Sequence, residues 1–237
     1  MDSSLSIRHV VIVPDGNRRF AKKKRKLASW GHVAGAKAME NILRAALDLE
    51  LPYLTIWGSS VSNIIERNAS EVKVLLEIFE RYFKRLGAQP ELQKNDVRVR
   101  ILGRWEELFP EKVKKPMRDL IEKTSKHSRR NLTFLMAYSG VDEILAAISN
   151  ITEMKKENQK LSVSGELVKK NLWSAELPPV DLVIRTGGEP HWSAGLMMWD
   201  VAESQLAFTE TLWPEFSAKE FKQIIKEKSE IEQRFGR

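Results

Sequence analysis

Short β-branched runs alternate with longer stretches of helical periodicity along nearly the whole chain, and that alternation limits what it can fold into. Val10 to Val13, Tyr53 to Trp57, Val97 to Leu102, Leu132 to Tyr138 and Asp181 to Ile184 read as strands, with Gln205 to Phe208 a weaker sixth. Strands separated by helices cannot close hairpins and instead run parallel. The pattern therefore predicts an α/β fold: a single domain over residues 1–237, with a mostly parallel six-stranded sheet flanked by helices. The chain has 237 residues, 42% of them hydrophobic, which is enough for one core of that size. Neither a linker nor a repeat interrupts it, and Pro178-Pro179 marks the entry to the fifth strand.

Two helical stretches carry apolar stripes. Met39, Ile42, Leu43, Ala46 and Leu47 recur at helical spacing in the first, and Val72, Leu75, Leu76, Phe79, Phe83 and Leu86 in the second. Such stripes are core by default. These two also suit the walls of a slot for a hydrocarbon tail.

The formal net charge is +7, which favours an anionic partner: nucleic acid, a membrane surface or a phosphorylated small molecule. The chain has no cysteine, so disulfides and thiolate catalysis are excluded. No run approaches the ~20 apolar residues that span a bilayer, so the expectation is a cytoplasmic protein, at most peripheral to a membrane.

In open α/β sheets ligands gather beyond the carboxyl ends of the strands. Strand one delivers Asp15 to Arg19 there, strand two Ser59 to Arg67, and strand five Arg185 to Ser193. Arg and Asn at strand ends do not pack a core, so the three loops are expected to share a crevice. Asp15 can ligate Mg²⁺, Gly16 lets phosphate approach the main chain, and Arg18 and Arg19 can clamp its oxygens. On its own the Asp15-Gly16-Asn17 segment is equally an ordinary strand-to-helix turn. A Walker loop and a dinucleotide-binding glycine turn are both missing, which points to a smaller phosphate ester.

Four blocks occur in register: Asp15-Gly-Asn-Arg-Arg-Phe20, Trp30-Gly-His-Val-Ala-Gly35, Arg185-Thr-Gly-Gly-Glu189 and Phe208-Thr-Glu-Thr-Leu-Trp-Pro-Glu-Phe216. With them the chain resembles the cis-prenyltransferases, the undecaprenyl diphosphate synthase family, from about His9 to Gly236. The resemblance implies a homodimeric, Mg²⁺-dependent enzyme that joins isopentenyl diphosphate to an allylic prenyl diphosphate. It implies catalytic roles for Asp15, as the Mg²⁺ anchor, and for Asn63, in the loop that positions isopentenyl diphosphate and removes its proton. Ser60 and Arg67 would act beside Asn63. Gly16, Asn17, Arg18, Arg19 and His32 would cradle the allylic diphosphate, with Phe20 beside the start of its chain. Arg185 and Ser193 would hold isopentenyl diphosphate, and Arg234 and Gly236 would reach the neighbouring subunit's site.

Several positions depart from the family pattern. Ser62 replaces an acid and Ile64 a Trp, Ala28 stands where an Arg is common, and His191 takes the place of another Arg in the isopentenyl diphosphate site. Gln205 aligns with the family's second acidic metal ligand, and an amide is a poorer Mg²⁺ ligand than a carboxylate. These changes motivate an alternative, a non-catalytic partner subunit of a heteromeric enzyme, although such partners generally lack the Asp that this chain keeps at Asp15. Nucleic acid is not an expected partner, because the aromatics sit in apolar blocks rather than interleaved with cations. The positive charge suits diphosphates and weak attraction to an anionic membrane.

Overall fold

Every strand pairs with its neighbours in parallel, and β1 sits inside the sheet with a partner on each side. The computed structural model describes residues 6–231. In chain order the elements are β1 (His9–Val13), α1 (Asn17–Lys23), α2 (Ala28–Asp48), β2 (Tyr53–Trp57), α3 (Val61–Ile65), α4 (Ala69–Gly87), α5 (Pro90–Lys94), β3 (Val97–Leu102) and α6 (Trp105–Leu108). They continue as α7 (Glu111–Thr124), β4 (Arg130–Leu135), α8 (Gly140–Glu157), α9 (Gly165–Asn171), β5 (Leu182–Arg185), β6 (Gln205–Phe208), a 3-10 turn at Trp213–Glu215 and α10 (Ala218–Ser229). The sheet order is β3-β4-β2-β1-β5-β6.

Side chains alternate across this sheet with period two. Val10 and Ile12 of β1 enter one apolar layer with Ile42 of α2 and Phe83 of α4, while Val11 and Val13 enter another with Trp57, Tyr138 and Val183. The single α/β domain thus packs α2, α4, α7 and α10 on one face, while the segments around Leu177, Val180, Leu196 and Val201 contribute to the other. Its chain leaves β1 toward β2 on one side and later returns to β1 on the other as β5, which pairs Val13 with Arg185. Loops after β1 and β5 diverge at that switch and leave a crevice between them.

Two strands end at other residues than those read in the sequence, and β1, β4 and β5 begin within one or two residues of the expected start. β4 ends at Leu135 rather than Tyr138, because Ala137 adopts φ 46° and turns the chain so that Tyr138 N–H reaches the Ser59 carbonyl. β5 runs one residue further, through Arg185, which pairs with both Val13 and Phe208. Among the described residues no helix is long and apolar enough to cross a membrane.

Candidate functional site

The crevice is built outward from the end of β1. Asp15 N–H donates to Thr186 Oγ1 at 2.9 Å, and Trp213 N–H donates to the Asp15 carbonyl at 2.9 Å. The first loop is therefore tied to the loop after β5 and to the 3-10 turn. Gly16 has φ 107°, and a Cβ there would press on Leu212 at 2.8 Å. Only glycine allows this turn to lead directly into α1.

The Asp15 carboxylate lies between two guanidiniums: Arg19 Nη2 is 3.2 Å from Oδ1 and Arg185 Nη2 is 2.9 Å from Oδ2. Glu189 faces the same pair, at 3.6 Å from Arg19 and 3.8 Å from Arg185. Carboxylates and guanidiniums thus alternate around a small ring. The ring needs Gly187, since a side chain at this position (φ 89°) would meet Arg19 Nη2 at 2.6 Å. Arg185 also donates to Ser193 Oγ at 2.6 Å and to the His191 carbonyl at 3.0 Å, which holds the loop after β5 against the strand ends. His191 is half-exposed, with its ring 3.2 Å from Ser193 Oγ and 3.6 Å from Glu189.

The third loop brings Ser60 and Asn63. Ser60 Oγ accepts from Asn63 N–H at 3.1 Å, and Asn63 Oδ1 accepts from Ser60 N–H at 3.3 Å, a reciprocal cap that starts α3. This cap aims Asn63 at the crevice even though the loop lacks the family's acid and Trp. Ser62 adds a hydroxyl 2.8 Å from Ser60 Oγ. Arg67 pairs with Glu71 one helical turn on, at 3.0 Å.

These loops close around one cavity of about 640 Å³. Asp15, Gly16, Asn17, Arg18, Arg19, His32, Ser60, Asn63, Arg67, Arg185, His191 and Ser193 all line it. Phe20 does not: it is buried and stacks on Trp30 at 5.3 Å between ring centroids. Arg234 and Gly236 lie outside the described residues. Glu189, which lines the cavity, and Glu71, which pairs with its Arg67, are acids that the sequence reading did not single out, although each follows an expected arginine by four residues.

Three buried polar atoms at the crevice have no hydrogen-bond partner: Asn17 Oδ1, His32 Nε2 and Arg185 Nε. Burial, reinforced by Arg67 and Arg18, pulls the His32 pKa below its usual value and favours the neutral ring. Arg185 Nε, and His32 Nε2 when it carries the ring proton, are unmet donors of the kind an oxygen-rich anion satisfies, whereas Asn17 Oδ1 is an unmet acceptor.

An apolar extension leaves the cavity between α2 and α4. Its walls include Gly35, Ala36 and Met39 on α2, and Leu75, Ile78, Phe79, Tyr82 and Phe83 on α4, with Met136 and Phe134 beyond. Of the first amphipathic stripe only Met39 walls this slot, and of the second Leu75, Phe79 and Phe83 do. Leu43 of the first stripe lines a separate cleft near Leu51 and Leu92.

Among the described residues no three His, Asp or Glu side chains form a closed metal shell. Asp15 would be the residue to hold Mg²⁺, since its hard carboxylate oxygens line the same cavity as the arginines. Gln205 takes no part in this arrangement: it begins β6 beside Leu182 and donates to the Lys228 carbonyl at 3.0 Å. It lies three residues, roughly 10 Å, below the strand end where Phe208 pairs with Arg185.

A family model described as "Putative undecaprenyl diphosphate synthase" matches residues 13–236. A tritrans,polycis-undecaprenyl-diphosphate synthase (geranylgeranyl-diphosphate specific) of Thermococcus kodakarensis is 35% identical over 232 residues, covering 97% of this chain and 87% of that protein. An isoprenyl transferase of Thermotoga maritima is 37% identical over 228 residues, 96% of each. The crystal structure of lavandulyl diphosphate synthase from Lavandula x intermedia has the same fold, with a TM-score of 0.92 over 99% of this chain and 100% of that one, at 23% identity.

Proposed function

Because the chain belongs to the undecaprenyl diphosphate synthase family of cis-prenyltransferases, we propose that it condenses isopentenyl diphosphate with an allylic prenyl diphosphate to form a cis-polyprenyl diphosphate, assisted by Mg²⁺ at Asp15. The observation that carries this reading is the convergence of Asp15, Arg19, Asn63, Arg185 and Ser193 on one polar cavity that opens into an apolar slot. A diphosphate with a hydrocarbon tail matches both halves.

Chain growth breaks the allylic C–O bond, forms a C–C bond to the isopentenyl terminal carbon and releases a proton. Negative charge grows on the departing diphosphate, and fixed guanidiniums at Arg18 and Arg19 lower the barrier by meeting it. Gly16 and Asn17 bring main-chain and amide groups to the same phosphate. His32, neutral with a free ring nitrogen, offers a donor that costs no extra buried charge. Arg185 and Ser193 grip the isopentenyl diphosphate, with His191 beside them. Asn63, held by its cap with Ser60, orients the carbon that loses the proton, and Arg67 lies on the same side. Mg²⁺ supplies charge neutralisation on the diphosphate oxygens. Trp57, Leu75 and Met39 keep water from the cationic carbon.

A homodimer fits the surface. Val141, Leu145 and Ile148 repeat along the outer side of α8, each more than half exposed, and Leu206 and Phe208 are exposed on the edge strand β6. Register puts Leu206 and Phe208 level with Val183 and Arg185, on the side of the sheet that carries Val183 and Tyr138. Aliphatic side chains so exposed are covered in an oligomer at little cost. The basic Lys22 to Lys26 run supports a cytoplasmic enzyme with peripheral contact to an anionic membrane. The partner-subunit alternative draws no support from the site, which keeps Asp15 between its two arginines.

Purified protein incubated with Mg²⁺, isopentenyl diphosphate and allylic primers of several lengths is expected to yield a longer diphosphate. Absence of product with every primer, under conditions where a Thermotoga maritima relative works, refutes the proposal.

A further inference from the structure

Tyr138 lies outside the cavity, yet it is bonded to two of the loops that build it. The residue follows the left-handed turn at Ala137 and is fully buried. Its main chain brackets Ser60: Tyr138 N–H donates to the Ser59 carbonyl at 3.0 Å, and the Tyr138 carbonyl accepts from Val61 N–H at 3.2 Å, which makes one parallel bridge. The reciprocal cap of Ser60 and Asn63 starts directly from that bridge.

The Tyr138 hydroxyl reaches the other way. It accepts from Met197 N–H at 3.2 Å and donates to Glu143. Glu143 accepts in turn from Ser174 N–H at 2.8 Å, Ser174 Oγ donates to Asp200 at 2.6 Å, and Asp200 N–H donates to the Met197 carbonyl at 2.8 Å. The bonds therefore close into a ring on Met197. Tyr138, Glu143, Ser174, Met197 and Asp200 are each at most 4% exposed, and Lys169 supplies the cation that pairs with Asp200. Burial, with Glu143 beside it, holds the Tyr138 phenol well above its usual range, so the hydroxyl keeps the proton it donates. A buried polar ring is strong while complete and costly once a member is lost.

The segment gripped by this ring has a backbone that needs support. Ala194, Gly195 and Met197 have φ 44°, 62° and 38°, and residues with a side chain stay in that region only where their surroundings over-determine them. The stretch after β4 does so twice, through the Tyr138 hydroxyl at Met197 and through Gly140 N–H, which donates to the Ala194 carbonyl at 2.9 Å. Ser193, held by Arg185 at 2.6 Å, directly precedes Ala194.

Resting on the reading of the site as a cis-prenyltransferase, we infer that Tyr138 is a positioning residue for isopentenyl diphosphate: its main chain sets the loop of Ser60 and Asn63, and its hydroxyl, backed by Glu143, sets the segment that carries Ser193. One residue thus keeps the loop that faces the reacting carbon and the segment that holds the diphosphate in a fixed relation. The allylic half sits at the start of α1 and on α2, elements that supply no member of the ring. Loss of the hydroxyl should therefore affect one substrate and spare the other.

Tyr138→Phe tests this, since the variant ring stays on Trp57 and Trp173, whose centroids lie 5.8 and 5.9 Å away. Calorimetry with non-hydrolysable isopentenyl and geranyl thiolodiphosphates needs no turnover. Affinity for the isopentenyl analogue is expected to fall by about tenfold, and that for the geranyl analogue to stay within about twofold of wild type. Hydrogen exchange over residues 192–200 should quicken by about tenfold, with α2 unchanged. Glu143→Gln is the conservative control. Its amide oxygen accepts from Ser174 N–H and its NH₂ donates to the Tyr138 oxygen, which has a second lone pair for Met197 N–H, so isopentenyl affinity should return to within about threefold of wild type. Glu143→Leu makes neither bond and should repeat the Tyr138→Phe split. Equal losses for both analogues, or an isopentenyl affinity that Tyr138→Phe leaves unchanged, overturn the inference. If the wild-type protein forms no product but the split appears, the catalytic reading fails while the positioning role stands. A wild-type protein that binds neither analogue removes both.

Discussion

Replacing Asp15 by alanine should separate substrate binding from metal-assisted turnover, and the ring of charges sets the size of the effect. Without metal, the Asp15 carboxylate already occupies two cations that a diphosphate needs, Arg19 at 3.2 Å and Arg185 at 2.9 Å. The Arg19 pair is well exposed, with side chains 43% and 30% accessible. Solvent therefore reduces its worth to about 0–1 kcal/mol. Arg185 is only 7% accessible, so its charge-assisted bond keeps about 1.5 kcal/mol. Removing the carboxylate frees both guanidiniums for phosphate. In EDTA, Asp15→Ala should bind an isopentenyl thiolodiphosphate about tenfold more tightly than wild type, the equivalent of about 1.4 kcal/mol. With Mg²⁺ the order reverses, because wild type gains a metal anchor and the variant does not. Turnover should drop by about a thousandfold or more, since the leaving diphosphate loses its main charge neutralisation. Calorimetry with and without Mg²⁺, beside a steady-state assay, gives all three quantities. Equal or weaker metal-free binding by the variant, or a Mg²⁺ dependence that survives the substitution, refutes this account of Asp15.

Three further outcomes are expected. A Cβ at Gly140 would lie 1.7 Å from the Gly195 carbonyl oxygen, backbone against backbone, so Gly140→Ala must shift the segment that carries Ser193. It should raise KM for isopentenyl diphosphate by about 10- to 100-fold and leave KM for the allylic primer nearly unchanged; an unaltered isopentenyl KM would contradict the coupling. Leu145→Glu puts a charge in the middle of the exposed α8 stripe and should convert a dimer to a monomer by sedimentation velocity, whereas a persisting dimer would locate the interface elsewhere. Burial holds the His9 pKa below the ordinary imidazole value, while its ring sits between the Pro178 carbonyl at 2.9 Å and Thr55 Oγ1 at 2.8 Å. The unfolded chain therefore takes up a proton near pH 6.5 that the folded chain still refuses, so stability should fall as pH drops below that value. Urea midpoints at pH 7.5 and 5.5 check the sign, and a smaller difference in His9→Gln assigns the effect to this residue.

The strands of the inner sheet were legible because burial on both faces demands unbroken β-branched runs, and nothing local competes with that demand at Val10 to Val13 or Tyr53 to Trp57. The end of β4 was not legible. Met136 to Tyr138 look like strand, yet Ala137 turns into the left-handed region so that Tyr138 can reach Ser59, and no propensity announces a bend made by a long-range contact. Among the residues that line the cavity, those just after strand ends were legible from their chemistry and loop position. Phe20 follows Arg19 in the sequence, but helical rotation carries it away from the cavity and onto Trp30.

By itself the order of residue types determined that the sheet would be parallel and that Asp15, Asn63 and Arg185 would emerge at the same edge, and it pointed to a phosphate ester as the ligand. Those properties follow from local periodicity and from the rule that parallel strands present their following loops together. Which acids share the arginines, how the slot runs between α2 and α4, and which rings line it were decided only by tertiary packing. Glu189 facing Arg19, and Phe83 facing Phe134, are contacts between segments far apart in the chain. Their existence depends on crossing angles and side-chain volumes that no single segment encodes.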